Sequence, residues 1–242
     1  MLLYVWRTNP TQWARDFRDI STGMRQLAFC FHKASEGKCT LENARDKVRK
    51  SLNQKNPMSF PMGHVGASVA LLAHEMTISV DFLATFSISC NICGTTSHSS
   101  NDRQTLTIET PQVYSGSTAE FVQELFEHSV VARCNHCEGD MRKIVKFKKP
   151  PTMLMVTISS GMSISKELGL ESGDEYRLAG IAYHGGFHFV CRIITTNKQI
   201  MIHDGMVTGR MCREEGILEN MSEYDLMTCG GKAAVLGVYV KC

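Results

Sequence analysis

Two cysteine knuckles constrain this chain more than any other feature: Cys90 and Cys93 in CNIC, and Cys134 and Cys137 in CNHC. Each CxxC offers two thiolates on one tight turn, and two such turns complete a tetrahedral shell around zinc, with Zn–S distances of about 2.3 Å. A shell closed by four sulfurs has no open position, so the zinc is expected to be structural. Residues 94–133 separate the knuckles, more than a zinc ribbon holds, so antiparallel strands are expected to bring them together. The competing readings are four unligated thiols or a redox-active CxxC. His136 lies inside the second knuckle, where four sulfurs already suffice, and is expected to be exposed.

Bulk properties narrow the class. A chain of 242 residues can bury a full core. With 26 basic and 24 acidic side chains the formal charge is +2, so no bulk field argues for nucleic acid or a membrane surface as partner. The opening MLLYVWRTNP is interrupted by Arg7 and Pro10 before it becomes a signal peptide, and no long apolar run follows. Ten cysteines without a secretory signal fit reduced thiols in cytosol or nucleus better than disulfides.

The period of the apolar residues changes along the chain. Thr40 can cap a charged helix through Leu41, Ala44, Val48 and Leu52, and Val65, Val69, Leu72 and Met76 repeat at helical spacing in the next. From residue 83 the period becomes two, with Leu106 and Ile108 among threonines and Ile144, Val145 and Phe147 among lysines. Ser117 and Glu120 form a capping box before a short helix carrying Phe121, Val122, Leu125 and Phe126. Strands are expected at 153–159, 176–182, 187–195, 199–203 and 233–240. With no repeat and no low-complexity linker, the pattern predicts one α+β unit. The lysines at 143, 146, 148 and 149 make a basic edge that reads as a solvated strand face discouraging edge pairing, with contact to an acidic partner as the alternative. Met153, Met155, Met201 and Met206 read as core filling.

The stretch HGGFHFVCRI presents His188 at the mouth of an alternating strand. A lone histidine there is ordinarily structural, but IMIHDGMV places His203 and Asp204 at the end of a nearby strand, where a carboxylate can accept the imidazole N–H and fix its tautomer. That pairing is half of a thiol or hydroxyl hydrolase. Outside the knuckles stand Cys30, Cys39, Cys191, Cys212, Cys229 and Cys242, none at a helix start behind the glycine or asparagine that a nucleophile elbow uses. Cys191 is three residues beyond His188 and so on the opposite strand face. His184 is expected to pack in the loop. Gly185 and Gly186 either let a substrate chain approach the backbone or simply make the turn.

In order, these pieces resemble the ubiquitin-specific protease family. HVGASVALL is similar to its glutamine box, with His64, Gly66 and Val69 at the Gln, Asp and Glu positions and Ala67 retained. The paired knuckles resemble the zinc-bearing fingers, and KIVKFKKPPTMLMVTIS resembles the strand pair that follows them. YRLAGIAYHGGFHF resembles the histidine box, with Phe187 for Gly and Phe189 for Tyr. IHDGMV is similar to the box of the third residue, and AAVLGVYV to the closing strand.

The resemblance implies a papain-like cysteine protease fold of α+β class spanning 1–242: a helical thumb over about 1–82, zinc-knuckle fingers over 83–150 and a palm over 151–242. It implies His188 as general base, Asp204 as the orienting acid with His203 as the weaker candidate, Gly185 and Gly186 beside the substrate, and Cys90, Cys93, Cys134 and Cys137 on zinc. The partner is expected to be ubiquitin or a ubiquitinated protein bound by a monomer, with no nucleic acid and no membrane. The family's Asn-x-Cys box would fall just upstream of Met1. Losing a triad nucleophile costs on the order of a millionfold in turnover, so this chain alone is expected to be inactive. It reads as a deubiquitinase with its nucleophile supplied upstream, as a catalytically dead ubiquitin-binding scaffold, or, least favoured, as a zinc-stapled structural protein without ubiquitin contact.

Overall fold

The computed structural model describes residues 1–63, 66–79, 81–98, 103–126, 130–170 and 172–242. Helices come first: α1 (Leu2–Thr8), α2 (Pro10–Ile20), α3 (Thr22–Ser35), α4 (Leu41–Lys55) and α5 (Val69–Thr77). Their starts follow from side-chain caps that satisfy otherwise orphaned amides. Asn9 accepts from the Gln12 amide at 3.1 Å with Pro10 at the first helical position, Thr40 from Asn43 at 3.2 Å, and Ser68 from Leu71 at 3.4 Å. Ser21 does two jobs: its hydroxyl accepts from Met24 at 3.0 Å and donates to the Met76 carbonyl, tying α3 to the end of α5. The expected helix over Leu41 to Leu52 is α4. Val65 and His64 lie outside the described residues, and α5 begins at Val69.

Strands follow: β1 (Ala84–Cys90), β2 (Thr96–His98), β3 (Thr107–Ile108), β4 (Val113–Ser117), then helix α6 (Thr118–Phe126), then β5 (Val130–Arg133), β6 (Asp140–Phe147), β7 (Met153–Thr157), β8 (Ser160–Ser163) and β9 (Glu167–Gly169). The last third adds β10 (Glu175–Gly185), β11 (His188–Ile194), β12 (Gln199–His203), β13 (Arg213–Ile217), β14 (Thr228–Cys229) and β15 (Lys232–Lys241). The capping box before α6 is formed, with the Ser117 amide donating to Glu120 at 2.6 Å and the Glu120 amide to the Ser117 hydroxyl at 3.2 Å.

The protein is a mixed α/β structure built on a nine-stranded sheet, with main path β13-β12-β11-β10-β15-β7-β3 and β9 and β14 attached to it. A four-stranded antiparallel sheet, β2-β1-β6-β5, stands apart, and β4 pairs with β8. Side-chain alternation gives the large sheet two buried faces. On one, Met153, Met155, Leu236, Val238 and Val240 pack under Trp6, Phe17, Met24 and Phe31 of the helices. On the other, Leu154, Val156, Ile181, Tyr183, Ile202 and Tyr239 pack with Val122 and Phe126 of α6. Each fully buried aliphatic or aromatic side chain contributes about 1.5–3 kcal/mol relative to exposure, so the sheet is held rigidly from both sides. Met153 and Met155 are core, as expected, whereas Met206 is 80% exposed: it stands in a turn beyond β12, where no second face covers it.

The lysine-rich strand β6 is central in the small sheet, between β1 and β5, rather than at an edge. Its tolerance there comes from aromatic faces, since Lys143 lies 4.2 Å over the Phe86 ring and Lys148, just beyond the strand, 5.8 Å over Phe82.

Candidate functional site

β11 and β12 are antiparallel neighbours with Cys191 opposite His203. That register places Asp204 diagonally across from His188, on the α6 face of the sheet. The His188 Nε2–H donates to Asp204 Oδ1 at 2.7 Å, and both side chains are largely buried, at 22% and 15% exposure. A carboxylate can only accept, so the proton sits on Nε2 and Nδ1 is left as the ring's acceptor when the imidazole is neutral.

Asp204 is itself held. Its Oδ1 accepts the amides of Met206 at 3.0 Å and Val207 at 3.2 Å. The Thr208 hydroxyl donates to the Asp204 carbonyl at 2.9 Å and accepts its amide at 3.3 Å. Burial works against ionising Asp204, but the His188 hydrogen bond and these two amides outweigh it, and the carboxyl sits below the usual aspartate range. The carboxylate is therefore ionised and fixed in direction, as an orienting acid must be.

His203 faces the other way. It alternates with Asp204 along the chain, donates Nε2–H to the Gly209 carbonyl at 3.1 Å, and lines with Cys191, Phe189 and Leu72 an apolar cavity of about 880 Å³ between helices and sheet. The structure thus brings Asp204 to His188 and leaves His203 on the opposite face. Burial pushes the Cys191 thiol up, which leaves it protonated and unreactive. Among the described residues, no hydrogen bond joins a thiol to His188.

The glycines before His188 have separate duties. Gly185 pairs with His188 across the hairpin, and a Cβ on it would meet the Lys232 side chain at 3.2 Å and Cα at 3.3 Å, so β15 approaches closely there. Gly186 and Phe187, at φ 60° and 59°, form the two-residue turn itself. Such a left-handed conformation costs a non-glycine residue about 1–3 kcal/mol. His184 stands on β10 rather than in the loop and is exposed, with its ring centroid 4.4 Å from that of Phe189.

A feature that sequence reasoning missed supports the hairpin from below. Arg192 shares the strand face of His188 and is only 5% exposed. Its guanidinium forks onto Glu215 of β13 at 2.6 and 2.7 Å. It also donates at 2.9 Å to the Tyr183 hydroxyl and to the carbonyls of Asp225 and Thr228. The available signal was a charge at an inward position of an otherwise apolar alternation, which requires a buried partner.

At the far end of the small sheet, β1 and β6 run antiparallel from Ala84 opposite Phe147 to Cys90 opposite Met141, and carry the two knuckles to the same tip. The sulfurs of Cys90, Cys93, Cys134 and Cys137 all lie within 4.8 Å of one another. Cys90 and Cys137 are 3.4 Å apart and Cys93 and Cys134 3.7 Å, close to the about 3.8 Å edge of a tetrahedron with 2.3 Å Zn–S bonds. The Cys93 and Ile92 amides, the latter at 3.4 Å, draw the Cys90 thiol below its usual value, and the His136 amide points at the Cys134 sulfur at 3.5 Å. The Thr95 hydroxyl leads the interactions that draw the Cys93 thiol down to about 6. Cys137 shows the opposite: the Gly139 amide favours its thiolate, yet the neighbouring Cys90 and Cys93 sulfurs hold its proton on, up to about 12. Four sulfurs at this spacing can all be thiolates only around a cation, and the donor set suits one zinc ion. His136 is exposed beside them.

No protein-family model matches the chain, and none of the curated proteins matches it. Among solved structures, the chain is similar to the SAGA Ubp8/Sgf11/Sus1/Sgf73 DUB module bound to ubiquitin aldehyde, with 10% identity, TM-score 0.46 and coverage of 100% of this chain and 65% of that one. It is similar to that module bound to monoubiquitin, at 11% identity, TM-score 0.46 and coverage of 100% and 64%. A yeast SAGA DUB module structure matches at 15% identity, TM-score 0.43 and coverage of 90% and 54%. The chain therefore spans less than two thirds of the length of the structures it matches.

Proposed function

We propose that this chain is a ubiquitin-specific-protease-like domain that binds ubiquitin or a ubiquitinated protein and serves thiol-dependent hydrolysis of the isopeptide bond after the ubiquitin C-terminus. In this reading the helical layer of 1–82 is the thumb, 83–150 the zinc-clipped fingers and 151–242 the palm of a papain-like fold. His188 is the general base: its Nδ1 takes the proton of an attacking thiol and returns it to the leaving amine. Asp204 keeps the ring in one tautomer and stabilises the imidazolium, and Gly185 and Gly186 border the substrate chain. The compartment is cytosol or nucleus.

The observation that carries the reading is the 2.7 Å hydrogen bond from His188 Nε2 to Asp204 Oδ1. A carboxylate engaged with one ring nitrogen leaves the other for chemistry. The nucleophile in this reading comes from a cysteine outside the 242 residues. A second reading, a ubiquitin-binding scaffold without hydrolysis, is favoured by the lack of any thiol hydrogen-bonded to His188 among the described residues.

Two measurements test both. The zinc-loaded chain is titrated into isotope-labelled ubiquitin, and release of a fluorophore from a ubiquitin C-terminal reporter is followed with the chain extended upstream in its natural reading frame. Turnover by an extended form, abolished by His188→Ala, supports the protease. Micromolar binding with no turnover by extended forms that contain a cysteine supports the scaffold. Absence of ubiquitin binding by the folded chain sinks both.

A further inference from the structure

Phe187 precedes His188 and holds the second central position of the hairpin turn, at φ 59°. Glycine, asparagine and aspartate adopt that left-handed backbone readily, and a bulky side chain does not. The phenyl ring gains nothing in exchange, being 103% exposed. Neither the turn nor the core is stabilised by this residue, and residues held in a disfavoured conformation cluster at active sites and ligand clamps.

The surroundings extend the same chemistry. Met206 and Val207 are each 80% exposed, and their amides bind the same Asp204 oxygen that holds His188. One exposed apolar residue thus precedes the imidazole and two follow the carboxylate, on turns joined by the 2.7 Å hydrogen bond. Exposed apolar residues gathered at one place mark an interaction site rather than a fold requirement.

We propose that Phe187 is a specificity-determining contact of the His188–Asp204 site, projecting its ring to meet an apolar side chain on the polypeptide substrate, with Met206 and Val207 completing the collar. The inference rests on the function proposed above and adds to it the residue that reads the substrate and the apolar character of what is read.

Phe187→Gly separates this role from a structural one, because glycine relieves the backbone while removing the ring. The full zinc-loaded chain and its variants are compared for thermal midpoint and for affinity toward labelled ubiquitin. Phe187→Gly is expected to weaken binding about tenfold, as loss of an aromatic anchor does, with a midpoint unchanged or raised by a few degrees. Phe187→Leu should keep most of the affinity, and Met206→Ser with Val207→Ser should weaken binding independently. If wild type binds and Phe187→Gly binds within twofold of it, the contact is refuted while the function stands. A midpoint lowered by more than about 4 °C makes the ring structural and overturns the proposal. A folded wild type that ignores ubiquitin overturns this inference and the function together.

Discussion

His188 and Asp204 stand on neighbouring strands with Nε2 2.7 Å from Oδ1, and the same oxygen accepts two backbone amides of the following turn. The carboxyl consequently titrates below its unfolded value. A depressed acid stabilises the fold above its unfolded pKa of about 3.9, and that contribution disappears as pH falls through the lower folded value. Asp204→Asn should therefore show a shallower loss of stability below about pH 4 than wild type. His188→Ala should move the Asp204 carboxyl titration upward in carbon-detected NMR. Parallel acid profiles for wild type and Asp204→Asn would contradict the pairing.

The four-sulfur cluster should bind one zinc per chain, measured by metal analysis of protein purified without added zinc. Structural zinc in small sites is worth about 10 kcal/mol or more at neutral pH, so it should dominate the order of the β1–β6 tip. Chelation, or Cys134→Ser, should release the metal and collapse the β1–β6 tip while leaving the large sheet folded, read by amide exchange. Because protons compete for thiolates, zinc should dissociate on acidification. Full retention of zinc by Cys134→Ser would exclude the four-sulfur shell.

Arg192 fixes Glu215, Tyr183 and two carbonyls around a buried guanidinium. Removing one partner of a buried ion pair strands the other, at about 3–5 kcal/mol. Arg192→Ala should lower stability by that amount in urea denaturation. Arg192→Lys should recover little, since an ammonium lacks the fork that reaches both Glu215 oxygens. A loss under about 1 kcal/mol would mean that the network is not closed.

Tyr239, fully buried, hydrogen-bonds the Thr118 hydroxyl at 2.8 Å and the Ser165 carbonyl at 2.9 Å. Its ring packs in the α6-side core while its hydroxyl anchors the first turn of α6. Tyr239→Phe keeps the ring, strips the Ser165 carbonyl of this donor and leaves the Thr118 hydroxyl only the Ser165 amide at 2.9 Å, so it should cost about 1–3 kcal/mol, with amide exchange of α6 quickened ahead of the rest.

Much of the architecture was legible in local pattern. The capping residues Thr40 and Ser117 mark helix starts because their oxygens satisfy amides within three residues, an interaction that needs no tertiary partner. The strands around 153–157, 188–194 and 199–203 show in their apolar runs. β13 was not legible: its sequence, Arg213-Glu-Glu-Gly-Ile217, has no apolar alternation, and it is a strand because β12 offers it an edge. The lysines of β6 likewise read as an edge strand, and only its pairing with both β1 and β5 makes it a central one.

By itself the sequence determined the tetrahedral sulfur donor set, the change of period from helix to strand and a histidine with a carboxylate a short way downstream, since each depends on residue type and spacing along the chain. Tertiary structure alone decided that the already favoured Asp204 shares a sheet face with His188 while His203 does not, that Arg192 has a buried partner, and that Phe187 stands in solvent. The first depends on register, since a shift of one residue in the β11–β12 pairing would have turned His203 instead of Asp204 to the face of His188; the others depend on which sheet face is covered and on the β10–β11 turn.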